Sequence, residues 1–394
     1  MKQAFPNFTP AQIKSALVQS AANVVRPFSD GVSGVLAYGN GLLNAGAAVS
    51  VPATVVPSSI SLGTNTPGTI LNQSINLAIT NVTGAADTLV LSQTGGSSTV
   101  SLAATPSTLT LGSGETQSVT IQASSSQPVT GAPEGTLLLH SQNTGKDLAI
   151  PFWGNFLVPS ANTNGTVNAA SLTSGPVRVS AGSLVSIFGT QLTAGATAYA
   201  NSIPLPSSLA GTELLVQGVA MPLLYVSPTQ INAQVPQEVS GRTLATLQIR
   251  LNGVTGPTSF ISLAPTGPGI FAINQAGTGR GAILHSSTHG AVTSSDPARP
   301  GEILEVYANG LGATTPPVAT GQAASIPPSI ANVAPSASIG AVPATVRFAG
   351  LAPGFVALYQ VNVEVPANAP VGDDQLILFS NGVSSNPVTV SIGR

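Results

Sequence analysis

The chain has 394 residues, of which 11 are Lys or Arg and 13 Asp or Glu, giving a net charge of -2 and only 6% charged residues. An ordinary soluble domain carries roughly 25%, so this sequence lacks the basic face that nucleic acid requires and any polybasic membrane anchor. Forty-two per cent apolar residues at near-zero net charge argue against disorder. Cysteine is absent, which excludes disulfides, a thiol nucleophile and Cys-ligated zinc. No apolar run is long enough to suggest a membrane span; the stretch 42–56 is interrupted by Asn44 and Pro52. The length suggests two to four domains. A surface of Ser, Thr, Asn, Gln and Gly suits an extracellular or cell-surface protein. No export signal is legible, so a further N-terminal part is expected.

Residues 1–50 read differently from the rest. Thr9-Pro10-Ala11-Gln12 has the pattern of a capping box with proline at the first helical position. Ile13, Ala16, Leu17, Ser20 and Ala21 then recur at helical spacing, which predicts an amphipathic helix over 10–22. Phe5 and Phe8 are placed to staple its start. A turn containing Gly31, Gly34 and Gly39 follows, then a second short helix within 41–49. Fifty residues with two helices make a poor domain alone.

From Val51 the helical period gives way to short runs of Val, Ile, Leu and Thr between Gly, Pro, Asn and Ser clusters, the pattern of β-sandwiches. Strands are expected at 75–79, 119–122, 136–140 and 148–153, closing a first β domain near residue 158. Residues 162–168 read as a polar linker.

The remainder contains an internal repeat. Gly182-Ser-Leu-Val-Ser-Ile-Phe-Gly-Thr-Gln-Leu192 matches Gly301-Glu-Ile-Leu-Glu-Val-Tyr-Ala-Asn-Gly-Leu311. Gln230-Ile-Asn-Ala-Gln-Val-Pro236 matches Gln360-Val-Asn-Val-Glu-Val-Pro366, and Asn252-Gly-Val-Thr255 matches Asn381-Gly-Val-Ser384. Two copies of one β unit follow, roughly 165–265 and 275–394, with a Pro/Ala-rich loop inserted in the second around 316–335. If so, 184–188 and 303–307 are equivalent strands, as are 231–235 and 361–365. Val185, Ile187, Leu304 and Val306 then lie on the better-buried face, and each Asn-Gly pair forms a tight hairpin turn.

The expected fold class is therefore mainly β: tandem immunoglobulin-like or fibronectin-III-like β-sandwiches after a short helical segment. The domains divide at 1–50, 51–158, 159–270 and 271–394.

Candidate chemistry is sparse. The histidines are His140, His285 and His289. His140 ends a strand pattern and reads as structural. His285 and His289 lie four apart, but Ser286 stands where an HExxH motif needs Glu and no helix flanks them; they read as an exposed loop. Asp373 and Asp374 follow Pro370 and Gly372 and read as a solvated hairpin turn. Glu302 and Glu305 correspond to Ser183 and Ser186 of the first copy, so the fold does not need their charge, which leaves a binding role open. Thr144-Gly-Lys-Asp147 lacks P-loop spacing and reads as a turn. Arg280 and Arg347 read as solubilising rather than as an anion clamp. Trp153, with Phe152 and Phe156, reads as core rather than as a sugar-stacking platform. No catalytic, metal or cofactor-binding residue is assigned.

Phe5-Pro-Asn-Phe-Thr-Pro-Ala-Gln-Ile-Lys-Ser-Ala-Leu17 and Tyr38-Gly-Asn-Gly-Leu-Leu-Asn-Ala45 together resemble the C-terminal end of subtilisin-like serine protease domains. In that family such a helix follows the one that starts at the nucleophilic serine, and the Gly-rich pair ends the catalytic domain. The family's Gly-Thr-Ser-Met-Ala serine motif, histidine segment and aspartate segment map onto no position here. Residues 55–158 resemble the fibronectin-III-like or immunoglobulin-like domain that often follows such catalytic domains. Residues 160–394 resemble an uncharacterised C-terminal domain of large secreted proteins of soil bacteria. The carriers are Val185-Ser-Ile-Phe-Gly189, Pro265-Thr-Gly-Pro-Gly-Ile-Phe271, Tyr307-Ala-Asn-Gly-Leu311 and Gly354-Phe-Val-Ala-Leu-Tyr-Gln-Val-Asn-Val363. The resemblance implies the non-catalytic C-terminal accessory region of a secreted subtilisin-like endopeptidase. Its partners would be protein or polysaccharide at the cell surface. Two alternatives stand beside it: a stand-alone extracellular binding or adhesion protein, and a truncated reading of an intact protease.

Overall fold

The structure is a computed structural model that describes residues 1–22, 34–65, 67–94, 99–173 and 178–394. Gly31 of the expected N-terminal turn lies outside the described residues. The chain is mainly β and divides into two compact units, Met1–Val158 and Pro159–Arg394.

In the first unit two sheets face each other. One has the order Ala53–Val56, Asn72–Asn81, Thr116–Ser124, Ser101–Thr105; the other Ile60–Asn65, Asp147–Phe156, Glu134–Ser141, Asp87–Thr94, Thr108–Leu111. The chain enters in the first sheet and crosses to the second, where Ile60–Asn65 lies parallel to the last strand. With the remaining strands antiparallel, this is the strand order of an immunoglobulin-like sandwich. Alternation along the strands aims Leu77, Ile79, Val119, Ile121, Leu137, Leu139, Ile150 and Phe152 into one core.

The N-terminal helix is Pro10–Gln19, closed by the expected capping box: Gln12 N donates to Thr9 Oγ1 at 3.3 Å and Thr9 N to Gln12 Oε1 at 2.9 Å. Phe5 and Phe8 stack with ring centroids 4.2 Å apart ahead of it. It is shorter than the expected 10–22, because Ser20 Oγ donates to Ala16 O and Ala22 leaves the helix to bridge Leu42. The helix is part of the first core: Ala16 is fully buried, and Val55 N of the first strand donates to Ser15 Oγ at 2.7 Å. Asn40 Nδ2 donates to Val18 O and to Ala149 O, fixing the following turn to the last strand. A one-turn helix, Val35–Tyr38, stands within the expected turn, and the helix expected in 41–49 is only Ala45–Ala48, capped by Asn44.

In the second unit the two sequence copies have equivalent strands in equivalent register. Leu184–Thr190 pairs with Gln230–Gln234 so that Leu184 opposes Gln234 and Phe188 opposes Gln230. Ile303–Asn309 pairs with Tyr359–Glu364 so that Ile303 opposes Glu364 and Tyr307 opposes Gln360. Val185, Ile187, Leu304 and Val306 are fully buried, each pair in the core of its own copy. Both Asn-Gly pairs turn hairpins with positive φ at both positions: 49° and 83° for Asn252-Gly253, 50° and 77° for Asn381-Gly382. These are the values that a type I′ turn requires.

Two expectations are corrected. The polar stretch 162–168 is not a linker: it belongs to strand Ser160–Asn168, which pairs with Leu184–Thr190 around a bulge between Ala161 and Thr166. Its polar residues suit a sheet edge, which the composition alone does not distinguish from a loop. The insertion of the second copy is not a free loop either. It carries short strands Thr314–Thr315 and Ile330–Ala331 and straps onto the first copy. There Gly321 N donates to buried Gln234 Oε1 at 2.7 Å, Leu205 N to Gly321 O, and Gln237 N to Thr320 Oγ1.

A buried asparagine pair joins the two copies. Asn309 Nδ2 donates to Leu184 O at 2.7 Å and to Asn168 Oδ1 at 3.0 Å, and Asn309 Oδ1 accepts from Leu184 N at 2.9 Å. Asn168 Nδ2 donates to Gly267 O in 265–269, the connector between the two copies. Gly310, at φ 77°, passes so close that an added Cβ would stand 2.0 Å from Gly267 O. Replacing Asn309 by Ala leaves several buried backbone and side-chain groups unpaired and should cost about 3 kcal/mol. Chemical denaturation should then resolve separate transitions for the two copies; one transition at the unaltered midpoint would contradict this.

Candidate functional site

The structure pairs every histidine with a carboxylate. His140 Nδ1 lies 2.7 Å from Asp147 Oδ1 across the hairpin that contains Thr144–Lys146, at an exposed strand end as expected. His285 is not in an exposed loop. It ends strand Ile283–His285, is buried, and sits opposite Leu304. Its Nδ1 is 2.5 Å from Glu302 Oε1 and its Nε2 3.2 Å from the Asp296 carbonyl. The Asp296 carbonyl only accepts, so Nε2 donates to it, and with Glu302 as the carboxylate Nδ1 donates too, which makes the ring the imidazolium. Burial by itself would lower the His285 pKa, but the hydrogen bonds and charges of Glu302 and Asp296 outweigh it and hold the value above 6.5. Glu302 thus partners a buried histidine in this copy, a role that the sequence reading did not give it. Neither Ser183 nor Asn168, which stands opposite Val185 as His285 stands opposite Leu304, carries charge in the first copy.

His289 does occupy an exposed turn, with φ 55°, and its Nδ1 lies 3.2 Å from Glu305 Oε2. Glu305 itself is buried. Successive residues of a strand face opposite ways, so the His285–Glu302 and His289–Glu305 pairs lie on opposite faces of the sheet. Among the described residues, no group of three or more His, Cys, Asp and Glu side chains is placed to hold a metal ion.

Asp373 and Asp374 are not turn residues. The turn ends before them, and both belong to strand Gly372–Ser380, opposite Ser391 and Val390. Asp373 accepts from Ser391 Oγ and pairs with Arg280 Nη2 at 3.2 Å; Arg280 Nη1 also donates to Ser391 Oγ. Arg347 pairs with Glu364 on the neighbouring strand. Both arginines are therefore engaged in cross-strand ion pairs.

The aromatic cluster splits. Phe152 and Phe156 are core, whereas Trp153 turns to the opposite face and is half-buried. There it lines a cleft of about 420 Å³ with Pro151, Leu17, Val18 and Tyr38. It is neither sandwich core nor part of a platform with the two phenylalanines.

A surface that single-residue reasoning missed is repeated in both copies. On the face opposite each core, Phe188 stands across from Gln230 and Tyr225 across from Asn232. In the second copy Tyr307 stands across from Gln360 and Phe348 across from Asn362. Gln230 Nε2 donates to Asn232 Oδ1 at 2.8 Å, and Gln360 Nε2 to Asn362 Oδ1 at 2.9 Å. All eight side chains are half-buried. Aligning the two Gln-x-Asn segments with their cross-strand neighbours is the signal that finds them.

No known family model matches the chain, and no curated protein matches it. Solved structures offer only weak likenesses. The titin I9–I11 tandem is 10% identical, with 86% of this chain and 98% of that chain covered and a TM-score of 0.28. A Bacteroides ovatus protein of a mixed-linkage glucan utilization locus, solved with a mixed-linkage heptasaccharide, is 12% identical, with coverage of 87% and 71% and a TM-score of 0.25. A FixG-related protein from Vibrio parahaemolyticus is 10% identical, with coverage of 28% and 100% and a TM-score of 0.21. The fold rests on the strand order and not on these likenesses. Among the described residues no helix is long and apolar enough to cross a membrane.

The raised pKa of His285 fixes the sign of a pH effect. Its bonds stabilise the fold fully below the unfolded value of about 6.5 and are lost as pH rises through the higher folded value. The second copy should therefore resist denaturant better at pH 5.5 than at pH 8.5, and His285→Gln should flatten that difference. An unchanged difference in the variant would assign it elsewhere.

Proposed function

We propose that this chain is the non-catalytic accessory region of a secreted subtilisin-like serine endopeptidase. In this reading residues 1–50 are the end of the catalytic domain, and the β-sandwiches space, stabilise or attach the enzyme at a cell surface or on its substrate. The observation that carries the non-catalytic part is the state of the histidines. Each of the three faces a carboxylate, and none has a serine or threonine hydroxyl as a hydrogen-bond partner among the described residues. A hydrolytic triad needs its base between a nucleophile and an orienting carboxylate.

The subtilase part is supported by sequence. Its carriers are Phe5-Pro-Asn-Phe-Thr-Pro-Ala-Gln-Ile-Lys-Ser-Ala-Leu17 and Tyr38-Gly-Asn-Gly-Leu-Leu-Asn-Ala45. The low charge and a surface of Ser, Thr, Asn, Gln and Gly support an extracellular setting. In the folded chain Ser15 and Asn40 of those same segments tie them to the first sandwich.

A fluorophosphonate probe should leave the purified chain unlabelled, and the chain should be retained on at least one insoluble material, either bacterial envelope or a protein substrate. Stoichiometric labelling would refute the non-catalytic reading, and retention on none of them the attachment role.

A further inference from the structure

Each copy of the repeat must bury a core, so similarity between the copies at interior positions follows from folding alone. Folding makes no such demand on the outward face. That the same ring–amide–amide–ring row returns there, in the same register and with the same Gln-to-Asn hydrogen bond, calls for a different cause. We infer that the rows Phe188–Gln230–Asn232–Tyr225 and Tyr307–Gln360–Asn362–Phe348 are two binding faces for a neutral polysaccharide.

The chemistry selects that ligand. Aromatic rings offer flat apolar surface with the C–H groups of a pyranose as natural partners, and an amide offers one donor and one acceptor at hydroxyl spacing. Within each row the bond from Gln to Asn uses one Gln donor and one Asn acceptor. Among the described residues, Gln Oε1 and Asn Nδ2 have no hydrogen-bond partner, which leaves each row an acceptor and a donor for sugar hydroxyls. In the first copy Tyr199, 72% exposed, extends the row, its ring centroid 4.8 Å from that of Tyr225.

No charged side chain belongs to the first row, and near the second Arg347 is paired with Glu364 and Glu305 with His289. An anionic ligand would find no cation to neutralise it. An added peptide strand needs an open sheet edge rather than a sheet face. Two faces on one compact unit give a polymer of repeating sugars two places to bind, and where one chain spans both, modest single-face affinities combine.

This inference rests on the reading of the chain as a binding region, and the test separates the two. The full chain is run in native affinity gels containing barley β-glucan, xyloglucan, galactomannan or dextran, with alginate as the anionic control. Retardation by at least one neutral polymer and none by alginate is expected. Tyr225→Ala and Phe348→Ala should each weaken binding, and the double variant should weaken it about tenfold or more through lost bivalency. Tyr199→Ala and Gln230→Ala, which leave the core untouched, repeat the test if the larger truncations fail to fold. Binding to a neutral polymer that all these variants retain would overturn the faces and leave the binding reading standing. Retention on protein alone would do the same. Failure to bind any polysaccharide, envelope or protein substrate would overturn both.

Discussion

The second unit depends on one buried contact, the amide of Asn309 lodged against the backbone of Leu184. A backbone N–H and C=O at the start of a strand must be paired once water is excluded, and here a side chain of the other copy does the pairing. Asn168 extends the arrangement to the connector through Gly267. The close approach explains the glycines around it, since the connector backbone passes within bonding distance of Gly310, with Gly267 N donating to Gly310 O at 2.8 Å. The insertion of the second copy adds a strap through Gly321 and Gln234. The repeat is therefore a fused pair and not two beads on a string. Its two outward faces belong to one compact unit.

The same economy of polar contacts governs the first unit. The N-terminal helix is too short to be stable by itself. It holds because Ala16 enters the sandwich core and Ser15 pairs a backbone donor of the first strand. The helical segment thus serves the β-sandwich that follows it. The cleft beside Trp153 is a product of that packing, formed between helical residues and the outer face of the last strand.

Few charges are present, and several are paired locally: Arg280 with Asp373, Arg347 with Glu364, Arg250 with Glu213, and each histidine with its acid. Exposed pairs of this kind add little stability. Near the second outward face they pair Arg347 with Glu364 and Glu305 with His289. The buried His285–Glu302 pair is different. Desolvated and doubly hydrogen-bonded, it couples the second copy to pH where the first copy has only neutral residues.

The sequence by itself determined the β class, the helix start at Thr9, the repeat, the equivalent strands and both Asn-Gly turns. Each of these follows from local rules: the two-residue period of strands, a capping side chain within reach of its own helix, and a backbone that turns where φ must be positive. The tertiary structure decided what needed partners distant in sequence. His285 reads as a loop residue until Glu302, 17 positions away, is found beside it. Asp373 reads as a turn until Arg280 and Ser391 reach it. The edge strand Ser160–Asn168 reads as a linker because polar residues satisfy a sheet edge as readily as solvent. The ring–amide rows were present in the sequence only as scattered letters. Strand pairing brings Phe188 to Gln230 and Tyr307 to Gln360, because register across a sheet is set by the fold and not by neighbours in the chain.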